Sequence, residues 1–185
     1  MNKDKPLKDV KLKLVSELLK NSRRSDRELA KAIGVSQPTV TRTMKKLEKE
    51  GVIREYTIIP DFTKIGYHIA ALTFAKFRQQ KDFENMRTAI EMNRESLSEI
   101  PEVIMIERGL GPHTDGVVVS LHEDYSSYVD FQNRLKQFSS MGVFDVHPFI
   151  IDLDDETHYR ALTFSTLAKH IFTLKRGEEE GAGIE

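Results

Sequence analysis

Between Ser25 and Gly51 the chain marks out two short helices joined by a glycine turn, and few folds accommodate that spacing. Ser25-Asp26-Arg27-Glu28 is a capping box, in which a serine hydroxyl and a glutamate three residues on satisfy the orphan amides of a helix start. Leu29, Ala30 and Ile33 form the apolar side of that helix. Gly34 ends it, because glycine takes the left-handed conformation that a helix stop uses, and Val35 plugs the turn. Ser36 is placed to cap the next helix, with Pro38 in the first turn, where its missing N–H costs nothing. Val40, Met44 and Leu47 make an inner stripe, while Gln37, Thr39, Thr41, Arg42, Lys45, Lys46 and Lys49 lie outside; Gly51 stops the helix. Upstream, Leu7, Val10, Leu14, Val15, Leu18 and Leu19 recur at helical spacing behind Pro6. Downstream, Val52 to Ile59 is rich in β-branched residues and closes at Pro60-Asp61, which predicts a strand and a short hairpin. Three helices and a hairpin make a winged helix-turn-helix domain over residues 1–61.

The outer face of the second short helix fixes the chemistry. An α-helix fits the major groove of B-DNA, where every base pair shows a distinct donor and acceptor pattern. Its N-terminal end meets the bases. That end offers Gln37, which suits adenine, Thr39, and Arg42, which suits guanine as a bidentate donor. Lys45, Lys46 and Lys49, with Arg54 in the expected wing, suit phosphates. Ser36 and Thr41 complete the expected DNA-binding set. Charge agrees: residues 1–66 hold sixteen Lys and Arg against nine Asp and Glu, and residues 67–185 hold twelve against twenty. A basic third beside an acidic remainder points to two domains with different partners, duplex DNA for the first. A structural bundle with a solvated basic face is the plainer alternative, but it does not account for the motif spacing.

Residues 7–67 resemble the N-terminal domain of the Lrp/AsnC, or feast/famine, transcription regulators. The resemblance is carried by Arg27-Glu28-Leu29-Ala30-Lys31-Ala32-Ile33-Gly34-Val35-Ser36-Gln37-Pro38-Thr39-Val40 and by Lys46-Leu47-Glu48-Lys49-Glu50-Gly51-Val52-Ile53-Arg54-Glu55-Tyr56. Lys64-Ile65-Gly66-Tyr67 resembles the family's linker, here residues 62–67. One departure is that many members carry arginine where this chain has Thr43.

The rest of the chain reads as an α/β sandwich over residues 68–153. Strands are expected over His68–Phe77, Val103–Arg108, Gly116–His122 and Val143–Asp152. Phe83, Met86, Ile90 and Leu97 mark one helix and Tyr128, Phe131, Leu135 and Phe138 another. The order βαββαβ is the ferredoxin-like plan, so the whole chain is of the α+β class. Two helices cover one face of such a sheet, and a second copy is the economical cover for the other, so at least a homodimer is expected. Pro148 within the fourth strand predicts an edge position or a bulge. The resemblance implies the same domain, with assemblies up to octamers and a small-molecule effector such as an amino acid held near a glycine-rich loop. Here Gly109, Gly111, His113 and Asp115 are the matching candidates, in an expected loop over 109–115: glycine amides suit a carboxylate and Asp115 an ammonium. A plain hairpin turn at Gly111-Pro112 is the alternative. Asp154-Asp155-Glu156-Thr157 reads as the start of an extra C-terminal helix over 154–174, with Leu162, Leu167, Ile171 and Leu174 on its apolar side. Residues 175–185 read as a disordered tail.

Other classes are excluded or weak. The chain has no cysteine, so no disulfide scaffold, thiolate metal site or cysteine nucleophile. No apolar run spans a membrane and no signal peptide is read at the N-terminus, which fits a cytoplasmic protein. His113, His122, His147, His158 and His170 do not fall at metal-ligand spacing, and neither a nucleophile elbow nor a phosphate loop is present. No metal or cofactor is expected. Sirohaem decarboxylases share the two-domain plan, but the basic outer positions Arg42, Lys45, Lys46 and Lys49 run against an enzyme of that kind. A winged helix that binds another protein is the remaining alternative, and the weaker salt dependence of such an interface sets it apart.

Overall fold

The computed structural model describes residues 9–77, 100–111, 113–137, 143–157 and 160–171 of the 185-residue chain. The chain forms two compact units. One comprises residues 1–59 together with 160–185, and the other residues 60–159. The first unit is therefore assembled from both ends of the sequence, where a continuous domain over 1–61 was expected.

In the first unit, α1 (Asp9–Lys20), α2 (Asp26–Ile33) and α3 (Gln37–Lys49) enclose a core of Leu14, Leu29, Ala30, Val40 and Leu47. Val15, Leu18, Ile33, Val35, Met44 and Ile53 pack around it. Burial of each large side chain contributes about 1.5–3 kcal/mol, which holds three helices too short to persist alone. The local signals act as read. The Ser25 amide donates to the Glu28 carboxylate at 2.8 Å and the Glu28 amide to the Ser25 hydroxyl at 3.3 Å. Gly34 adopts φ 74° and donates to the Ala30 carbonyl at 3.0 Å.

Two expectations in this unit fail. Residues 52–60 form no strand among the described residues, where a strand and a short hairpin were expected. A strand needs a partner, and after Pro60 the chain enters a single 3-10 turn, Thr63–Ile65, instead of returning antiparallel. The extra C-terminal helix begins at Leu167 rather than at Asp154. The carboxylates that promised a helix start are engaged locally: Asp155 accepts from the Thr157 amide at 2.8 Å, and Asp154 meets His68 Nδ1 at 2.8 Å. Such bonds compete with the helical ladder. Residues 172–185, including the expected tail, lie outside the described residues, as do 1–8 with Pro6.

The second unit is a four-stranded antiparallel sheet in the order β2-β3-β1-β4, formed by β1 (Ile69–Phe77), β2 (Val103–Gly111), β3 (Thr114–His122) and β4 (Val143–Asp152). This is the ferredoxin-like order. α4 (Tyr125–Gln137) packs Tyr128 and Phe131 against Ala71, with Ile100, Val103, Val118 and Leu135 around them. The helix expected over Phe83–Leu97 lies outside the described residues. Pro148 does sit on an edge strand, opposite Thr73 of β1, while the register shift falls at Lys76/Phe77. Among the described residues no helix is long and apolar enough to cross a membrane.

Candidate nucleic-acid interface

The core side chains Val40 and Leu47 determine how α3 is turned. At about 100° per residue, Arg42, Lys45 and Lys49 fall within roughly 60° of one another on the side away from those two residues. All three are exposed, and none has an acidic partner among the described residues. Lys46 lies to one flank and reaches Glu50 at 3.7 Å. Glu50 also accepts from Lys11 of α1, and that bond holds its carboxyl below the ordinary glutamate value. Gln37 is exposed at the N-terminal end of the helix, where groove-reading side chains belong. Arg54 is exposed on the extended segment after α3.

The hydroxyl residues behave differently from the sequence expectation. Ser36 has the extended backbone of a cap, yet its hydroxyl bonds the Thr39 hydroxyl at 2.8 Å and makes no side-chain cap bond to the helix. Helix entry is secured instead by the Ser36 carbonyl, which accepts from the Thr39 and Val40 amides at 3.0 and 3.2 Å. Thr41 is half-buried: its single hydroxyl proton is shared between the Asp26 carboxylate of α2 and the Gln37 carbonyl. That geometry makes Thr41 a clamp between the two helices. Thr43, the position of the departure from the family pattern, donates to the Thr39 carbonyl at 2.7 Å.

Sequence reasoning missed two positioning residues. Asp26 holds Thr41. Tyr56 donates to the Glu48 carboxylate at 2.8 Å and lies 3.9 Å from Met44 Sδ, so the extended segment is pinned to α3. Partial burial and that carboxylate push the Tyr56 hydroxyl up to about 12. The one aromatic side chain in the stretch Val52–Ile59 was the available signal. Asp26 offered none beyond its place in a capping box.

In the second unit the expected loop over 109–115 is replaced by a hairpin. β2 runs through Gly109 and Gly111, β3 begins at Thr114, and only two residues separate the paired Gly111 and Thr114. His113 is exposed with φ 61°. A side chain on Gly111 would come within 2.7 Å of Thr114 Oγ1, so the glycine serves strand approach. Asp115 faces Lys76 of β1 at 3.4 Å. The four residues share one end of the sheet.

Known proteins resemble this chain in both units. A family profile described as winged helix-turn-helix DNA-binding matches residues 7–54. An uncharacterised HTH-type transcriptional regulator of Pyrococcus horikoshii is 33% identical over 129 residues, which is 70% of this chain and 80% of that protein. Its crystal structure superposes with a TM-score of 0.66, covering 86% of this chain and 98% of that one at 28% identity. The HTH-type regulator LrpC of Bacillus subtilis is 34% identical over 46% of this chain and 58% of its own length, and its structure gives a TM-score of 0.61 at 25% identity, covering 84% and 100%. An AsnC family regulator of Agrobacterium tumefaciens shares the fold at a TM-score of 0.64 and 22% identity, covering 84% and 95%. With a basic, outward-facing recognition helix on a three-helix core and a ferredoxin-like sheet behind it in sequence, the chain belongs to the Lrp/AsnC family of DNA-binding transcriptional regulators.

Proposed function

We propose that two copies of this chain read one duplex site, each placing α3 in a major groove, with the two grooves about one helical turn apart. The observation that carries this reading is the stripe of Arg42, Lys45 and Lys49, exposed and without acidic partners among the described residues, on the side of α3 away from the core. Gln37 and Arg42 read base edges. Thr39, whose hydroxyl is hydrogen-bonded to that of Ser36, stands at the same end of the helix. Lys45, Lys46, Lys49 and Arg54 hold phosphates, so affinity falls steeply with salt. The test is a fluorescence titration against the DNA upstream of the chain's own gene and against a random duplex, at two salt concentrations. Tighter binding to the upstream DNA, with steep salt dependence for both, supports the reading. No binding to either at low salt refutes it.

The dimer has its own support. Strand alternation places Leu72 and Phe74 of β1, Val119 of β3, Met105 of β2 and Phe149 and Ile151 of β4 on the sheet face opposite α4. Phe149 is 60% and Met105 43% exposed in the single chain. An apolar face of this kind fits a second sheet. An effector role for Gly109, Gly111, His113 and Asp115 rests on their shared sheet end and on the Lys76–Asp115 pair, whose opposite charges suit the two ends of a zwitterion. Stabilisation of the chain by one free amino acid in a thermal-shift screen, lost in Asp115→Asn, supports it; no stabiliser counts against it.

A further inference from the structure

α1 is buried on two opposite faces, which a three-helix winged domain does not require. Leu14 faces the core. Ser16, about 200° further round the helix, is equally buried, at 1% exposure. Leu12 and Leu19 share that second face and are half-buried. What covers it comes from the far end of the chain: the Ser16 hydroxyl donates to the Ala168 carbonyl at 2.7 Å, and Ala168 is itself 1% exposed. Ile171, one turn on, is half-buried. Residues 160 onward belong to the same compact unit as α1.

The second unit is thus inserted in sequence within the first, and the two ends of its sheet lie side by side. Ile69 and Asp152, which begin β1 and end β4, are paired. Just outside them the Leu153 amide donates to the His68 carbonyl at 2.9 Å, and His68 Nδ1 meets Asp154 at 2.8 Å.

We propose that residues 160–171 are a strap whose docking on α1 sets the DNA affinity of the chain. Docking fixes the outer face of α1, and α1 carries Leu14 of the core on which α3 rests. Undocking leaves the Ser16 hydroxyl and the Ala168 carbonyl to water and loosens the support of α3. The strap needs no contact with DNA in this mechanism; it acts by pre-organising the helix that makes one.

The experiment uses the full chain and two variants, Ala168→Glu, which forces a charge into the contact, and Ser16→Ala, which removes the hydrogen bond with little change of size. Hydrogen exchange of the α1 amides is measured without DNA, and binding to a duplex is measured in parallel. Exchange in α1 is expected to speed up at least about fivefold in both variants, as loss of one buried hydrogen bond requires. DNA affinity is expected to fall about three- to tenfold in Ala168→Glu from lost pre-organisation, with the salt slope unchanged because no phosphate contact is removed. Unchanged α1 exchange in both variants overturns the docking. Faster exchange with unchanged DNA affinity overturns the control of binding. Should Ala168→Glu not fold, Ser16→Ala still decides by the same two readings. Failure of the parent chain to bind DNA would appear in the titration alone and leave the exchange result intact.

Discussion

Gly34 and Arg42 show how differently single residues matter here. Gly34 holds φ 74° with open space where a Cβ would stand, so its substitution is penalised by backbone strain alone. Gly34→Ala is expected to lower stability by about 1–2 kcal/mol in urea unfolding, with the denaturant slope unchanged. Arg42 has no structural role: it is exposed, unpaired among the described residues and far from the core. Arg42→Ala should leave stability within about 0.5 kcal/mol. On the specific duplex it should cost about 1–3 kcal/mol if it reads a base. Equal losses on specific and random DNA would reassign it to a phosphate. Lys49→Ala, by contrast, should weaken both duplexes alike and reduce the salt slope by about one.

At the scale of elements, the pairing of α2 and α3 depends on Thr41. Thr41→Val keeps the shape but leaves the Asp26 carboxylate without that donor. A loss of about 1–3 kcal/mol in thermal or urea unfolding is expected, with Thr41→Ser retaining most of the stability. The helices were legible in the sequence because their signals are local: a capping box, a glycine stop and an apolar stripe each act within a few residues. The lack of a strand after α3 was not, because Val52–Ile59 shows strand composition whether or not a partner strand exists, and pairing is a long-range fact. Gly109 and Gly111 suggested a loop, yet β2 carries both, since neighbouring strands supply the hydrogen bonds that glycine propensity discourages. The basic stripe of α3 was legible down to the residue. The fates of Ser36 and Thr41 were not, because a short hydroxyl goes to whichever acceptor the tertiary structure brings near.

For the whole molecule, pH and concentration are the informative variables. His122 is buried on the α4 side of the sheet, bonded to the Ser120 hydroxyl at 2.8 Å and packed against Tyr128 and Phe131, with Glu102 and Arg134 the charged groups nearby. Burial holds it below the ordinary histidine value, and its Nδ1 has no hydrogen-bond partner among the described residues. In the unfolded chain it protonates near pH 6.5. The unfolded state therefore takes up more protons below that pH, and stability falls as pH drops through it toward the lower folded value. Melting temperature should decline between about pH 7.5 and 5.5, and His122→Phe should flatten that decline. Concentration tests the proposed assembly: if two sheets pair through the face opposite α4, Phe149→Asp should convert a sedimenting dimer to a monomer, while melting of the isolated chain changes little because Phe149 is exposed there.

The bond between Ser16 and Ala168 joins residues 152 positions apart. On a ribosome adding about 5–20 residues per second, α1 waits roughly 8–30 s for its second covering after it is made. The three helices emerge before the sheet domain, yet the unit that meets DNA is completed only after that entire domain has been synthesised. A chain released early would carry every residue of the recognition helix and still lack the piece that seals the helix behind it.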